Sequence, residues 1–403
     1  MLCLDSQIMP SEKNLFLSYL GQTSPNPLLV EIERAEGIWL FGPSGEAYLD
    51  LISGVSVSNV GHSHPEVVKA ATDQLKKHMH LMVYGELVQS PQVRFAEKLV
   101  ASLPERYGSV YFVNSGSEAI EGAMKLAKRV TGRSKIVSFN NSYHGSTHGA
   151  LSIQGVEHFR NAFRPLLPDM FQIDFNDSQS LDEIDESFAA VIVEPIQAEA
   201  GIIHPQNNFL AKLRAKCDNT GTMLVFDEIQ TGFGRVGDLF ALNLFNVEPD
   251  IIALAKAMGG GLPLGGFISS TENMSKLSAD PVLGHITTFG GHPVSCASGL
   301  AALNVILNNK LHKESDKKGK RFIRNLSSHK LIKSIRGSGL FLAVDLVSPD
   351  VLDRFIDSGV SNGLILDRFL FCNTAFRIAP PLTITDQEID LASEMVLAAL
   401  DKI

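Results

Sequence analysis

Between about residues 95 and 300 the chain repeats one pattern, a short apolar β-branched run followed by a helical stretch or a loop. The runs are Ser109–Val113, Lys135–Phe139, Ala189–Val193, Met223–Phe226, Ile251–Leu254 and Gly266–Ile268. Strands that are apolar at successive positions bury both faces, so the pattern implies a mainly parallel sheet covered by helices on each side. The flanks read differently. Residues 38–51 form a hairpin pattern around Gly42-Pro43-Ser44-Gly45. Pro65 suits the first position of a helix. His62 and His64 ahead of it have metal-like spacing but no further ligands nearby, so no metal site is expected. A long helix is expected from Ala301 to about Leu326, with strand-like pieces at Leu340–Leu346 and Ala375–Ile378. Thr385-Asp386-Gln387-Glu388 is a capping-box pattern that opens a closing helix. The expected architecture is α/β: a large domain over residues 61–300, flanked by a smaller α+β domain made from residues 1–60 and 301–403.

The 403 residues carry 35 Lys and Arg against 44 Asp and Glu, with the excess negative charge spread along the chain. Nucleic acid asks for clustered cations and is not expected as a partner. The run Lys317-Lys318-Gly319-Lys320-Arg321 reads as the solvated face of a helix. Cys3, Cys217, Cys296 and Cys372 are scattered without paired spacing, which suits a reduced, cytoplasmic protein. Asp5 and Glu12 interrupt the N-terminal residues, and no secretion signal is expected. Ile251 to Ser270 is nearly all apolar, but Lys256, the run Gly259-Gly260-Gly261 and Pro263 argue against a membrane span.

Lys256 therefore needs a reason. Burial disfavours an ammonium, lowers its pKa and frees the amine to form a Schiff base with an aldehyde. A lysine with a packed stem and a solvated head would have the same sequence. Asp227 ends the apolar run Met223–Phe226, where an ionised carboxylate needs a partner. A protonated pyridine nitrogen is one such partner; a strand-ending Asp that caps the next turn is the plainer alternative. In Val113-Asn114-Ser115-Gly116-Ser117-Glu118-Ala119 a strand runs into a helix whose free N–H groups suit a phosphate.

Together these segments resemble class III aminotransferases of the ornithine, acetylornithine and 4-aminobutyrate type over essentially the whole length. The resemblance rests on Ser115–Ala119, Tyr143-His144-Gly145, Glu194-Pro195-Ile196-Gln197, Phe226–Arg235, Lys256 with its glycines, Thr288-Phe289-Gly290-Gly291 and Arg377–Leu382. It implies a fold-type I transferase that uses pyridoxal 5'-phosphate. By resemblance, Lys256 binds the cofactor and moves the proton, and Asp227 pairs with the ring nitrogen. Gln230 reaches the phenolic oxygen, Tyr143 stacks on the ring, and His144 and Glu194 lie close by. Ser115, Gly116 and Ser117 hold the phosphate, joined by Thr288 from a neighbouring subunit, so a homodimer with shared sites is expected. Arg377 is the expected clamp for the substrate carboxylate, gated by Glu199.

The resemblance also implies ping-pong transfer from an ω-amino or ornithine-like donor to a 2-oxo acid such as 2-oxoglutarate or pyruvate. A decarboxylase or aminomutase of the same fold, or a non-catalytic cofactor-binding regulator, would share much of the pattern. A nucleotide-dependent oxidoreductase would need Gly-X-Gly-X-X-Gly after its first strand, and none is present. One position departs in kind. Ser146 stands where many family members carry an arginine for a second substrate carboxylate, and a serine cannot replace a guanidinium fork. Arg368 is a candidate substitute, or the substrate lacks that carboxylate. Ala198 and His292 replace the usual glycine and asparagine, and both are expected to tune substrate fit. Since Lys256 is the only amine in the buried glycine-rich segment, Lys256→Ala is expected to abolish steady-state turnover, and retained turnover would refute its role.

Overall fold

The computed structural model describes residues 11–403; Cys3 and Asp5 lie outside the described residues. Among the described residues fourteen strands form three sheets. They are β1 (Arg34–Glu36), β2 (Trp39–Phe41), β3 (Ala47–Asp50), β4 (Ser109–Val113), β5 (Lys135–Phe139), β6 (Met170–Ile173) and β7 (Phe188–Val193). They continue with β8 (Met223–Asp227), β9 (Ile251–Leu254), β10 (Gly265–Ser269), β11 (Ile332–Ser338), β12 (Phe341–Leu346), β13 (Leu364–Ile365) and β14 (Ala375–Ile378).

The central sheet has the order β4-β10-β9-β8-β7-β5-β6. Its pairs from β9 to β6 are parallel, and β10 alone runs against its neighbours. Strands β7, β8, β9 and β10 are buried at every position, as their unbroken apolar sequences require. Parallel order has a consequence for function. It brings the carboxyl ends of β5, β7, β8 and β9 to one edge, where ligands of open α/β sheets bind.

The other sheets join distant parts of the chain. Strand β13 pairs in parallel with β3, so residues 364–365 extend the N-terminal hairpin. Strands β11, β12 and β14 form an antiparallel sheet, with β12 in the middle. The closing helix Asp386–Leu400 opens with the expected reciprocal cap: Glu388 N–H donates to Thr385 Oγ1 at 3.2 Å and Thr385 N–H to Glu388 Oε2 at 2.7 Å.

The expected single helix from Ala301 to Leu326 is two helices, Pro293–Asn308 and Leu311–Leu326, broken at Lys310, whose φ is +52°. The faces explain the break. The first helix is apolar nearly all round and packs on the helices Pro65–Lys77 and Ser90–Val100. The second is strongly amphipathic and packs on Asp386–Leu400. One straight helix cannot present both surfaces in those two directions. Strands β6 and β11 were not expected either. The first is short and at an edge, and the second carries Lys333, Ser334 and Arg336, so neither shows an apolar run.

Arg235 holds these parts together from the inside. Its side chain is fully buried and donates to Leu340 O at 2.9 Å, Pro380 O at 2.5 Å and Ser53 Oγ at 3.1 Å, and also to Asn59 Oδ1. Removing it would strand four buried acceptors drawn from both ends of the chain. Arg235→Met is therefore expected to destabilise the fold by about 3 kcal/mol or more. Denaturant titration checks this, and a loss below about 1 kcal/mol would show that the acceptors find other partners.

Candidate active site

The segments leaving the carboxyl edge of the sheet meet in one cavity of about 400 Å³. Its wall includes Ser115, Gly116, Ser117, Tyr143, His144, Glu194, Asp227, Gln230 and Lys256, all expected from the sequence. Each arrives just past a strand end. Asp227 closes β8, Glu194 follows β7, Tyr143 and His144 follow β5, and Lys256 comes two residues after β9.

At Lys256 the backbone takes φ +51°, a left-handed conformation rare for a side chain with a Cβ. Such local cost is tolerated where the surroundings dictate where a side chain must point. Burial pushes the amine's pKa below its usual value, with Glu199 opposing and Arg377 reinforcing that shift. A larger share of neutral, nucleophilic amine is the result.

His144 Nδ1 lies 2.7 Å from Asp227 Oδ2, and Ile229 N–H donates to Asp227 Oδ1 at 3.1 Å. Both side chains are buried. The imidazole thus fixes the carboxylate's orientation from behind, much as an outer partner orients a metal ligand. His144 was singled out only through its motif; its contact with Asp227 joins positions 83 apart and leaves no local sequence signal.

The helix Gly116–Thr131 starts at the cavity, capped by Ser115 Oγ, which accepts from Glu118 N–H at 3.2 Å. The N–H groups of Gly116 and Ser117 have no acceptor among the described residues and face an anion-binding helix end. Gly145, at φ +126°, packs so close to Ser117 that a Cβ there would collide with its side chain. Glu194 accepts from Tyr143 N–H at 3.0 Å and Ala198 N–H at 2.9 Å, tying two wall segments together.

Behind the wall sits Arg377, buried in β14. Its Nη2 is 2.7 Å from Glu199 Oε1, and its Nη1 donates to Gln230 Oε1 at 2.9 Å. Gln230 Nε2 in turn donates to Glu199 Oε1 at 3.1 Å. Gln230 therefore commits both ends of its amide to this pair. Burial alone would raise the Glu199 carboxyl, but Arg377, Gln230 and Leu370 N–H bring it below the usual range. Two further contacts to Arg377 had no sequence signal: Asp367 Oδ2 at 3.8 Å from Nη2, and the Phe369 ring, its centroid 4.8 Å from the guanidinium carbon.

Two residues lie elsewhere. Thr288 is exposed and is not among the residues lining this cavity. Arg368, the candidate substitute for the missing arginine, pairs with Asp353 at 2.6 Å on the exposed side of the chain. Its neighbour Phe369 is the one turned inward, as residue alternation in an extended segment dictates.

The Aminotransferase class-III family profile matches residues 20–400. The chain belongs to this family. Among relatives of the class-III enzyme, the acetylornithine aminotransferase of Archaeoglobus fulgidus is 38% identical over 91% of this chain and 95% of its own length. The acetylornithine aminotransferase of Methanosarcina mazei is 38% identical over 92% of each. Similar solved structures include a transaminase from the marine bacterium Virgibacillus, at 27% identity and TM-score 0.91, covering 97% of this chain and 98% of that one. The ornithine aminotransferase of Toxoplasma gondii reaches TM-score 0.89 at 29% identity, covering 97% and 93%. This class-III aminotransferase transfers amino groups with pyridoxal phosphate as cofactor. The cavity fits that group: unpaired N–H donors for the phosphate, an oriented carboxylate for the ring nitrogen and an amine of lowered pKa for the aldehyde. No helix among the described residues is long and apolar enough to cross a membrane.

Burial raises the Glu194 carboxyl from 4.5 to about 7, with His144 opposing and Asp227 adding to the shift. A carboxyl raised on folding stabilises fully below its unfolded value, and that contribution is lost as pH rises through the folded one. The stability of the wild type relative to Glu194→Gln is therefore expected to fall between pH 4.5 and 7 and then level off. Denaturant titrations across this window check it, and a pH-independent difference would show that the Glu194 carboxyl titrates alike in the folded and unfolded chain.

Proposed function

We propose that this enzyme takes its amino group from a donor whose reacting amine is remote from its carboxylate, an ω-amino or ornithine-like acid. It passes the group to a 2-oxo acid such as 2-oxoglutarate or pyruvate in a ping-pong exchange. The observation that carries this reading is the Arg377–Glu199 pair, buried and joined at 2.7 Å. An ω-amine presents no carboxylate beside the reacting carbon, so Arg377 must be neutralised from within while such a donor reacts. A 2-oxo acid does present one, and Glu199 must then leave. Acetylornithine and ornithine aminotransferases among the relatives support the same donor class.

When bound, pyridoxal phosphate supplies an electron-accepting ring that stabilises negative charge at the substrate carbon. The protein's own groups do the rest. Lys256 would hold the cofactor through its amine and would carry the proton to and from the substrate carbon. Asp227, oriented by His144, keeps a positive charge at the ring nitrogen. Gly116 and Ser117 anchor the phosphate, and Tyr143 covers the ring face. Gln230 would reach the ring's phenolic oxygen.

The site is completed in a homodimer, with Thr288 of the partner subunit binding the same phosphate. Its exposure and its absence from the wall of its own cavity support that arrangement. The division into a large domain over 61–300 and a small one from both ends is supported by the pairing of β13 with β3. The unpaired Cys217, Cys296 and Cys372 support a cytoplasmic location.

Glu199→Gln leaves Arg377 unneutralised, so selectivity for ω-amino over α-amino donors is expected to fall by about tenfold or more. Asp227→Asn is expected to retain the cofactor but slow the first half-reaction by orders of magnitude. Single-turnover spectra with ornithine, 4-aminobutyrate and glutamate measure both. Unchanged donor selectivity in Glu199→Gln would refute the gate, and an unchanged rate in Asp227→Asn would refute its pairing with the ring.

A further inference from the structure

The guanidinium that Glu199 gates also faces a second carboxylate, whose role rests on the gate reading above. Arg377 Nη2 is 2.7 Å from Glu199 Oε1 and 3.8 Å from Asp367 Oδ2, so one nitrogen lies between two acids. The two acids are held differently. Glu199 reaches Arg377, Gln230 and Leu370 N–H through its side chain, which can rotate away. Asp367 is tied by its backbone to the clamp itself. Arg377 N–H donates to Asp367 O at 3.0 Å, and the adjoining Arg368 and Phe376 pair as an antiparallel bridge. When the gate leaves, Asp367 stays.

Arg377 is buried, and a buried cation stripped of its only counterion is strongly disfavoured. Asp367 prevents that state. At 3.8 Å it lies beyond hydrogen-bond reach, so it balances the charge through space and leaves the nitrogen's donors to others. Arg377 Nε is also buried without a partner among the described residues, so the guanidinium keeps donor capacity. Asp367 makes no other salt bridge among the described residues, because the adjoining Arg368 is paired with Asp353. Burial raises the Asp367 carboxyl, Arg377 opposes that shift and Glu199 adds to it. When Glu199 withdraws, its repulsion goes with it, and the ionised form of Asp367 gains as Arg377 comes to need it.

We propose that Asp367 is the standing counterion of the clamp, balancing Arg377 while Glu199 is away and so speeding the exchange of Glu199 for a substrate carboxylate. It acts through Arg377 and is a positioning residue. Its charge repels any carboxylate on Arg377, whether from Glu199 or from a guest. Those two repulsions oppose each other when the closed clamp is compared with the loaded one. The open clamp between them has no such offset, since Asp367 is then the acid that remains. Asp367 therefore sets how fast carboxylates come and go more than how tightly they bind.

Stopped-flow mixing of the holoenzyme with propionate, a carboxylate that binds without reacting, tests this through the absorbance of the bound cofactor. Asp367→Asn keeps the shape and removes the charge. Its association and dissociation rate constants are both expected to fall by about fivefold or more, with Kd moving by less than about twofold. In the second half-reaction with pyruvate, kcat/KM is expected to fall by a similar factor, and in the first half-reaction with ornithine by less. Asp367→Ser removes the same charge with a smaller side chain and is expected to follow Asp367→Asn, whereas Asp367→Glu restores the rates. On a Glu199→Gln background, with no charged gate to displace, Asp367→Asn is expected to slow association far less. Propionate exchange at the wild-type rate in both neutral variants overturns the proposal. So do tighter binding without slower association, which makes Asp367 a mere competitor, and equal losses in both half-reactions, which make it structural. If Glu199→Gln leaves donor selectivity unchanged, the gate reading falls and takes this proposal with it; if the gate stands and the neutral variants exchange propionate normally, only this proposal falls.

Discussion

A guanidinium buried without a carboxylate in its hydrogen-bond shell is the joint on which the molecule turns. Arg235 binds backbone and side-chain oxygens from residues 53, 59, 340 and 380, so it reads the positions of both chain ends at once. Burial lowers its pKa to about 9, which leaves it charged at neutral pH and in need of all four acceptors. Arg235 closes the same segment that Asp227 opens. Between them, Gln230 reaches the Arg377–Glu199 pair, and Thr231 Oγ1 donates to the buried Glu228 at 2.7 Å. The residue that joins the two chain ends and residues that face the cavity therefore sit in one short segment.

Burial of so many ionisable groups in one place is costly, and the arrangement shows how the cost is limited. Asp227 faces His144, Glu199 faces Arg377, and Glu194 takes two backbone N–H groups. Lys256 alone has no such partner, and its ammonium form is accordingly disfavoured. The site thus holds Glu199 as an anion, pushes the Glu194 carboxyl up to about 7 and leaves its amine reactive. Asymmetry of this kind is the signature of a site built for an aldehyde-bearing guest.

Much of this was legible in the sequence. Strands β4, β5 and β9 match their expected limits, because short apolar, β-branched runs read as strands from the sequence alone. The Thr385–Glu388 cap was legible because it is local. What failed was non-local. The break at Lys310 follows from two packing surfaces in different directions, and β11 is a strand through its pairing with β12, not through its composition. In the site, the motif residues were legible as types. That His144 backs Asp227, and that Asp367 and Phe369 flank Arg377, depends on chain segments far apart, so no spacing could announce it. Arg368 failed for a simpler reason. In extended backbone neighbouring side chains point opposite ways, and Phe369 holds the inward position.

Ser146, the position that departs in kind from the family pattern, sits in a turn whose backbone is held by its neighbours. Ser146 supports the phosphate cradle through its backbone N–H, which donates to Ser117 Oγ whatever its side chain is. Its turn is set by Gly145, whose left-handed φ and close contact with Ser117 belong to the backbone. The next turn is held by Glu121 through Thr147 and two backbone N–H groups. Three anchors fix this loop, and none of them uses the side chain at 146. The backbone of this turn is therefore held in place by Ser117, Gly145 and Glu121, and the Ser146 side chain is left to its contact with the Tyr143 hydroxyl.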